Sequence, residues 1–172
     1  MTPRKGWLAR RPLRRASYRV GQALSGTFGR LDPRAARAAA AELPANLRPL
    51  FLEMDRRDQG HAIRVLHRVG PAPEVLRQAA LLHDVGKARA FLGTPGRTLV
   101  VLARAAHLTA QVSRLPLIGS RVARYVLHPE IGADMLREAG APEALVEIVA
   151  EHQRAKPRRS ETRRLQEADG RG

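Results

Sequence analysis

Apolar residues in this chain recur at helical rather than alternating spacing, and proline and glycine punctuate the recurrence. Asp32-Pro33 predicts the start of an Ala-rich helix reaching Leu43, because a short acceptor side chain followed by proline suits a first turn. Pro44 and Pro49 interrupt, and the stretch from Leu47 to Met54 reads as a short apolar helix. Asp58 is expected to cap a helix running to Val69, with Gly70 as its stop signal. Pro73-Glu74 opens the next, which runs through Leu81 and Leu82 to His83, with Gly86 just after. Gly93 to Gly96 reads as a turn, and helical spacing resumes from Thr98 to Val112. A loop from Leu115 to Gly119 precedes three further helices, predicted from Ser120 to Leu127, Pro129 to Ala139 and Pro142 to His152. The expected fold class is therefore all-α, with a helical domain over 32–172 behind a basic N-terminal arm over 1–31.

Charge changes the picture of the ends. The 172 residues hold 31 Lys+Arg against 16 Asp+Glu, a net charge of +15. Residues 1–40 carry +9, residues 153–172 carry +4, and the stretch between them, with 14 bases and 12 acids, only +2. In the arm, Trp7, Leu8, Leu13, Val20, Leu24, Phe28 and Leu31 alternate loosely with Arg. Such a segment either docks on the body or engages nucleic acid or an anionic membrane. The skew of 28 Arg to 3 Lys fits a GC-rich genome as readily as selection for guanidinium chemistry. The most apolar stretch, Leu99 to Ala103, is cut short by Arg104, well below the roughly 20 residues of a membrane helix, and no signal-peptide run is present. A cytoplasmic location is the expectation.

The chain has no cysteine, which excludes disulfide frameworks, thiolate zinc sites and cysteine nucleophiles. Histidine and carboxylate remain as metal ligands. His83 and Asp84 end an apolar helix inside Leu-Leu-His-Asp-Val-Gly-Lys, where two adjacent polar groups are awkward to bury without a partner. A hydrogen-bonded helix end or a metal would satisfy them. His61 lies one helix earlier, His128 begins His-Pro-Glu-Ile-Gly-Ala, His152 ends the following helix, and Asp169 stands in Leu-Gln-Glu-Ala-Asp-Gly. A helical bundle can converge such residues on one interior point.

This order, with the motifs His-Asp-Val-Gly-Lys and His-Pro-Glu-Ile-Gly-Ala, resembles the HD superfamily of metal-dependent phosphohydrolases over residues 58–169. It is most similar to the branch whose extra histidines hold two metals, which includes cyclic-dinucleotide phosphodiesterases and diadenosine tetraphosphate hydrolases. The resemblance implies that His61, His83, Asp84 and Asp169 hold one ion, and that Asp84 bridges to a second held by His128 and His152. It also implies that Lys87 faces the scissile phosphate; the plain alternative is a solvated helix-end cation. No Gly-Tyr-Pro segment follows His152, so cyclic di-GMP is not implied.

The residue types suit this chemistry. A divalent metal lowers the pKa of water enough to supply hydroxide for phosphoester hydrolysis, and Fe, Mn, Zn and Co all accept imidazole and carboxylate. One or two such ions are the expected cofactor, and a nucleotide or other small phosphoester the expected substrate. Arg64, three residues past His61, shares its face and either meets a substrate phosphate or forms a salt bridge. Glu130 is placed to orient His128 or simply to favour its helix start. His67 and His107 read as surface or core filling. The competing function is a non-catalytic HD module that keeps metal as structure and binds nucleic acid or acidic membrane through its Arg-rich tails.

Overall fold

Acceptor side chains and prolines at helix entrances set most of the element boundaries. The computed structural model describes residues 31–90, 96, 99–100, 102–103, 108–116 and 119–170, and among them there is no strand. Helix α1, Pro33–Ala41, opens after Asp32, whose carboxylate accepts a hydrogen bond from the Arg34 N–H at 2.9 Å. After the short α2, Arg48–Leu52, comes α3, Arg56–Val69. The cap of α3 is Asp55, which accepts from the Arg57 N–H at 2.9 Å. Asp58, expected in that role, instead lies buried in the first turn. Gly70 stops α3 as expected, at φ 63°, a left-handed conformation that suits a residue without Cβ.

Helix α4 spans Glu74–Leu82, and a 3-10 helix, Val85–Ala90, follows directly and runs through Gly86 rather than ending before it. The expected continuous helix from Thr98 to Val112 is broken: Leu108 is non-helical, at φ −104° and ψ 13°, and the short α5 covers Thr109–Val112. Helices α6, Gly119–Val126, α7, His128–Glu138, and α8, Glu143–Glu151, match the proline-marked expectations to within about a residue at each end. Helix α9, Ser160–Gly170, has no counterpart in the sequence reading.

Packing follows from the apolar faces of these helices. Phe51, Leu76, Leu82, Leu136, Leu145, Ile148 and Leu165 are almost completely buried in one core. Each such side chain contributes about 1.5–3 kcal/mol of transfer free energy. Helix α4 contacts α3, α8 and α9, α8 contacts α7, and the 3-10 helix contacts α6 and α7. Buried Gln59 donates to the Phe51 and Leu52 carbonyls at 3.1 Å each, tying the end of α2 to α3.

The C-terminal basic segment is corrected from a tail to a docked helix. Thr162, Leu165 and Ala168 form the buried face of α9. Arg68 Nη1 donates to the Ala168 carbonyl at 3.2 Å, and Arg164 Nη2 to the carbonyls of Val69 and Pro71 at 3.0 and 2.9 Å. These arginines hold α9 against α3, and nothing among the described residues supports nucleic-acid or membrane contact. Apart from Leu31, which packs against the core, the basic arm lies outside the described residues, as does His107. No described helix is long and apolar enough to cross a membrane.

Candidate metal centre

Each ligand candidate is delivered by a helix or a helix end. His61 projects from the middle of α3, His83 caps the end of α4, and Asp84 follows it at the entrance to the 3-10 helix. His128 is the first residue of α7, His152 caps the end of α8, and Asp169 stands in the last turn of α9. His83, Asp84, His128 and His152 are all buried.

Three of the histidines share one local device. The Nδ1 of His83 lies 3.1 Å from the Ala80 carbonyl, that of His128 2.7 Å from Tyr125 O, and that of His152 2.7 Å from Val149 O. In every case the acceptor is a main-chain carbonyl three residues back, in the last turn at a helix end; that of Val149 also accepts the His152 N–H. Donation from Nδ1 leaves Nε2 as the inward-facing atom, the arrangement that metal-binding imidazoles adopt. Glu130 has no such part: the Tyr125 carbonyl orients His128, and Glu130 is exposed in the first turn of α7.

The inward atoms surround one carboxylate. Asp84 Oδ2 lies 3.8 Å from His61 Nε2, 3.4 Å from His83 Nε2 and 2.5 Å from Lys87 Nζ. Asp84 Oδ1 lies 3.2 Å from His128 Nε2 and 3.8 Å from His152 Nε2. Two groups of metal-compatible atoms result, His61–His83–Asp84 and Asp84–His128–His152, with Asp84 common to both. Asp169 adjoins the first, its Oδ1 2.8 Å from His61 Nε2 and 4.0 Å from His83 Nε2. His83 Nε2 is fully buried and has no hydrogen-bond partner. An orphaned imidazole nitrogen inside a ring of nitrogen and oxygen donors fits a divalent ion, since leaving such an atom dry and unpaired is costly.

Close backbone approach makes this geometry possible. A Cβ on Gly86 would overlap the His128 carbonyl and lie 2.7 Å from the Gly132 N, and one on Gly132 would lie 3.2 Å from the Gly86 N. The glycines of the two sequence motifs thus face each other, and the 3-10 helix presses on α7 closely enough to bring Asp84 to His128.

Charge is arranged unevenly across the ring. Burial opposes ionisation of His83, but the adjacent Asp84 carboxylate outweighs it and lifts the imidazole to about 9. Burial, reinforced by the positive charge of His83, pushes His152 down to about 3. Asp84 stays well below the usual carboxylate range, since Lys87 and His83 overcome its burial. At Asp169 the hydrogen bond with His61 likewise overcomes burial and brings the carboxyl to about 2. Lys87 is not a solvated cation: its side chain is 15% exposed, Asp84 holds its pKa above the ordinary lysine value against burial, and the ammonium stands 5.6 Å from the centre of the Tyr125 ring.

Other candidates sit at the margin. Arg64 is exposed on α3 with its guanidinium running back over Gly60, and burial together with repulsion from Arg68 and Arg57 lowers its pKa. His67 is exposed, as expected. Two residues that sequence reasoning missed are Gln153, whose Nε2 lies 3.2 Å from His128 Nε2, and Gln166, which donates to the carbonyls of His152 and Arg154 at 3.0 and 2.8 Å. The position of Gln153 beside His152 was its available signal. A cleft of about 530 Å³ opens alongside, lined in part by Pro129, Glu130, Glu151, Gln153, Arg154 and Arg158.

Comparison with curated proteins and with solved structures returns no match to the chain. The HD domain family model matches residues 59–170, a span that includes every ligand candidate above. With its all-helical fold and its clustered histidines and aspartates, the chain belongs to the HD domain family, whose members are generally metal-dependent hydrolases.

Proposed function

We propose that this protein is a metal-dependent phosphohydrolase acting on a nucleotide or another small phosphoester. The observation that carries the reading is the division of the Asp84 carboxylate, with one oxygen toward His61 and His83 and the other toward His128 and His152. His61, His83, Asp84 and Asp169 would hold one ion, and Asp84, His128 and His152 a second. The chemistry supplied by divalent ions held there is activation of water to hydroxide at neutral pH and neutralisation of charge on phosphoryl oxygens.

The chain's own residues do the rest. Lys87, permanently cationic and aimed at Asp84, donates to a nonbridging phosphoryl oxygen. Arg64, beside His61 at the rim, binds a phosphate of the substrate as a bidentate donor. The cleft next to His128 and His152 takes the remainder of the substrate, where Glu151 pairs with Arg154 at 2.7 Å and Glu147 with Arg159 at 2.6 Å. Those pairs leave the cleft close to neutral, which suits a small phosphoester better than a long polyanion.

The test joins metal analysis to a substrate screen. Protein supplied with Mn, Fe, Zn or Co is analysed for bound ions and offered phosphomonoesters, nucleotides, dinucleoside polyphosphates and cyclic dinucleotides. Bound ions and hydrolysis of one class are expected, with both reduced in His83→Ala and Asp84→Ala. A metal-replete wild type that binds no divalent ion overturns the reading.

A further inference from the structure

The second histidine group has a neighbour that no motif assigns. Gln153 directly follows His152, and its carboxamide reaches His128 Nε2 at 3.2 Å. His128 Nδ1 already donates to the Tyr125 carbonyl, so in the neutral ring Nε2 carries a lone pair, which faces His152 Nε2 and Asp84 Oδ1 at 3.2 Å each and can accept from the Gln153 N–H₂ group. That lone pair is the one a metal would take. An ion at this group and the Gln153 to His128 hydrogen bond therefore exclude each other.

The backbone that carries Gln153 is fixed. Gln166 of α9 clamps the carbonyls on either side, those of His152 and Arg154, and His152 is itself anchored to Val149 O. With the main chain held, loss of the hydrogen bond leaves the amide end beside the ion with one simple adjustment, rotation about its last torsion. This exchanges nitrogen for oxygen and presents a neutral, hard donor of the kind that divalent cations accept from glutamine. The side chain lies at the exposed rim of the cleft, where its amide borders the second histidine group.

We propose that Gln153 is a protein ligand of the second ion through Oε1, joining Asp84, His128 and His152. The inference rests on the two-ion reading above and extends it. A residue that only hydrogen-bonds His128 and one that ligates the ion differ in what replaces them. Glutamate cannot donate to His128 but supplies an oxygen; alanine does neither.

The experiment is titration of the full-length protein with Mn²⁺, followed by calorimetry and by the electron paramagnetic resonance of the bound ion. Wild type is expected to take two ions. Gln153→Ala should weaken the second by about tenfold and leave the first unchanged. Gln153→Glu should bind the second at least as tightly as wild type. The proposal is overturned if Gln153→Ala binds both ions as wild type does, or if Gln153→Glu is as weak as the alanine variant. A wild type that takes a single ion defeats the two-ion reading itself and the proposal with it, an outcome distinct from two ions with an indifferent Gln153.

Discussion

Lys87 and Asp84 form a buried ion pair at 2.5 Å, one turn apart, and its Asp84 oxygen is the one that also faces His61 and His83. Lysine and metal therefore compete for a single carboxylate oxygen. In the metal-free protein the ammonium neutralises Asp84; under the function proposed above, ions held there would take over that role and leave the ammonium for a substrate phosphate.

Lys87→Met should separate these two roles. The melting temperature of the metal-free protein is expected to fall, because Asp84 loses its nearest counter-charge, while the metal-bound form loses less. Metal affinity should hold or rise as a competitor is removed. Hydrolysis should drop by roughly 10²-fold or more, as expected for the loss of an electrostatic donor to the transition state. Calorimetric melting with and without metal, set beside kcat, reads all three.

The pH dependence has two limbs with different owners. His83, lifted to about 9 in the metal-free protein, must lose its Nε2 proton to coordinate an ion, so affinity should rise as pH climbs from 6.5 to 9. Calorimetry at pH 7.5 in buffers of different ionisation enthalpy should find about one proton released with the first ion. Its raised pKa stabilises the metal-free fold most below 6.5 and loses that effect as pH rises through 9. His152 runs the other way: its stabilising effect is full above 6.5 and is lost as pH falls toward 3. Between pH 7 and 5 in the presence of a chelator, urea unfolding should report a net loss of stability, about 2 kcal/mol from His152 offset in part by His83, whose unfolded form gains its proton over the same range. Asp169, brought to about 2, adds a further loss as pH falls through about 3.8 to 2.

Gly86→Ala tests the close approach of the 3-10 helix to α7. Its Cβ would overlap the His128 carbonyl, so one of the two backbones must shift. The expected result is a lower melting temperature and loss of the ion proposed at His128 and His152, with the ion proposed at His61, His83 and Asp169 retained more strongly. Equal loss of both ions would show that the glycine serves the fold as a whole instead of the spacing between the two groups.

Legibility in the sequence followed chemical punctuation. Prolines at 33, 129 and 142 mark helix entrances that the structure keeps, and the His-Asp-Val-Gly-Lys and His-Pro-Glu-Ile-Gly-Ala motifs are brought together as the resemblance implied. Helix α9 escaped because its buried face offers only Leu165 and Ala168 among apolar residues, completed by Thr162, while Arg159, Arg163 and Arg164 give the stretch the look of a solvated tail. Asp58 was mistaken for a cap because Asp55 and Asp58 are chemically alike, and only backbone geometry tells which carboxylate meets a free N–H. Of the two readings open for Glu130, its place in the first turn fits the helix-start role; the acceptor that orients His128 is a main-chain carbonyl, which is common to every residue and so invisible in a sequence.

That last point bears on how the site tolerates change. Since the acceptors at Ala80, Tyr125 and Val149 are main-chain atoms, substituting those side chains leaves the ring tautomers of His83, His128 and His152 as they are. Core packing at Ala80 and Val149 and the Tyr125 ring beside Lys87 still constrain those side chains, but the proton arrangement at the centre does not depend on them. What the design cannot tolerate is unwinding of a helix end, which would free an imidazole to rotate and remove a donor atom from the ring even with every ligand residue still in the sequence.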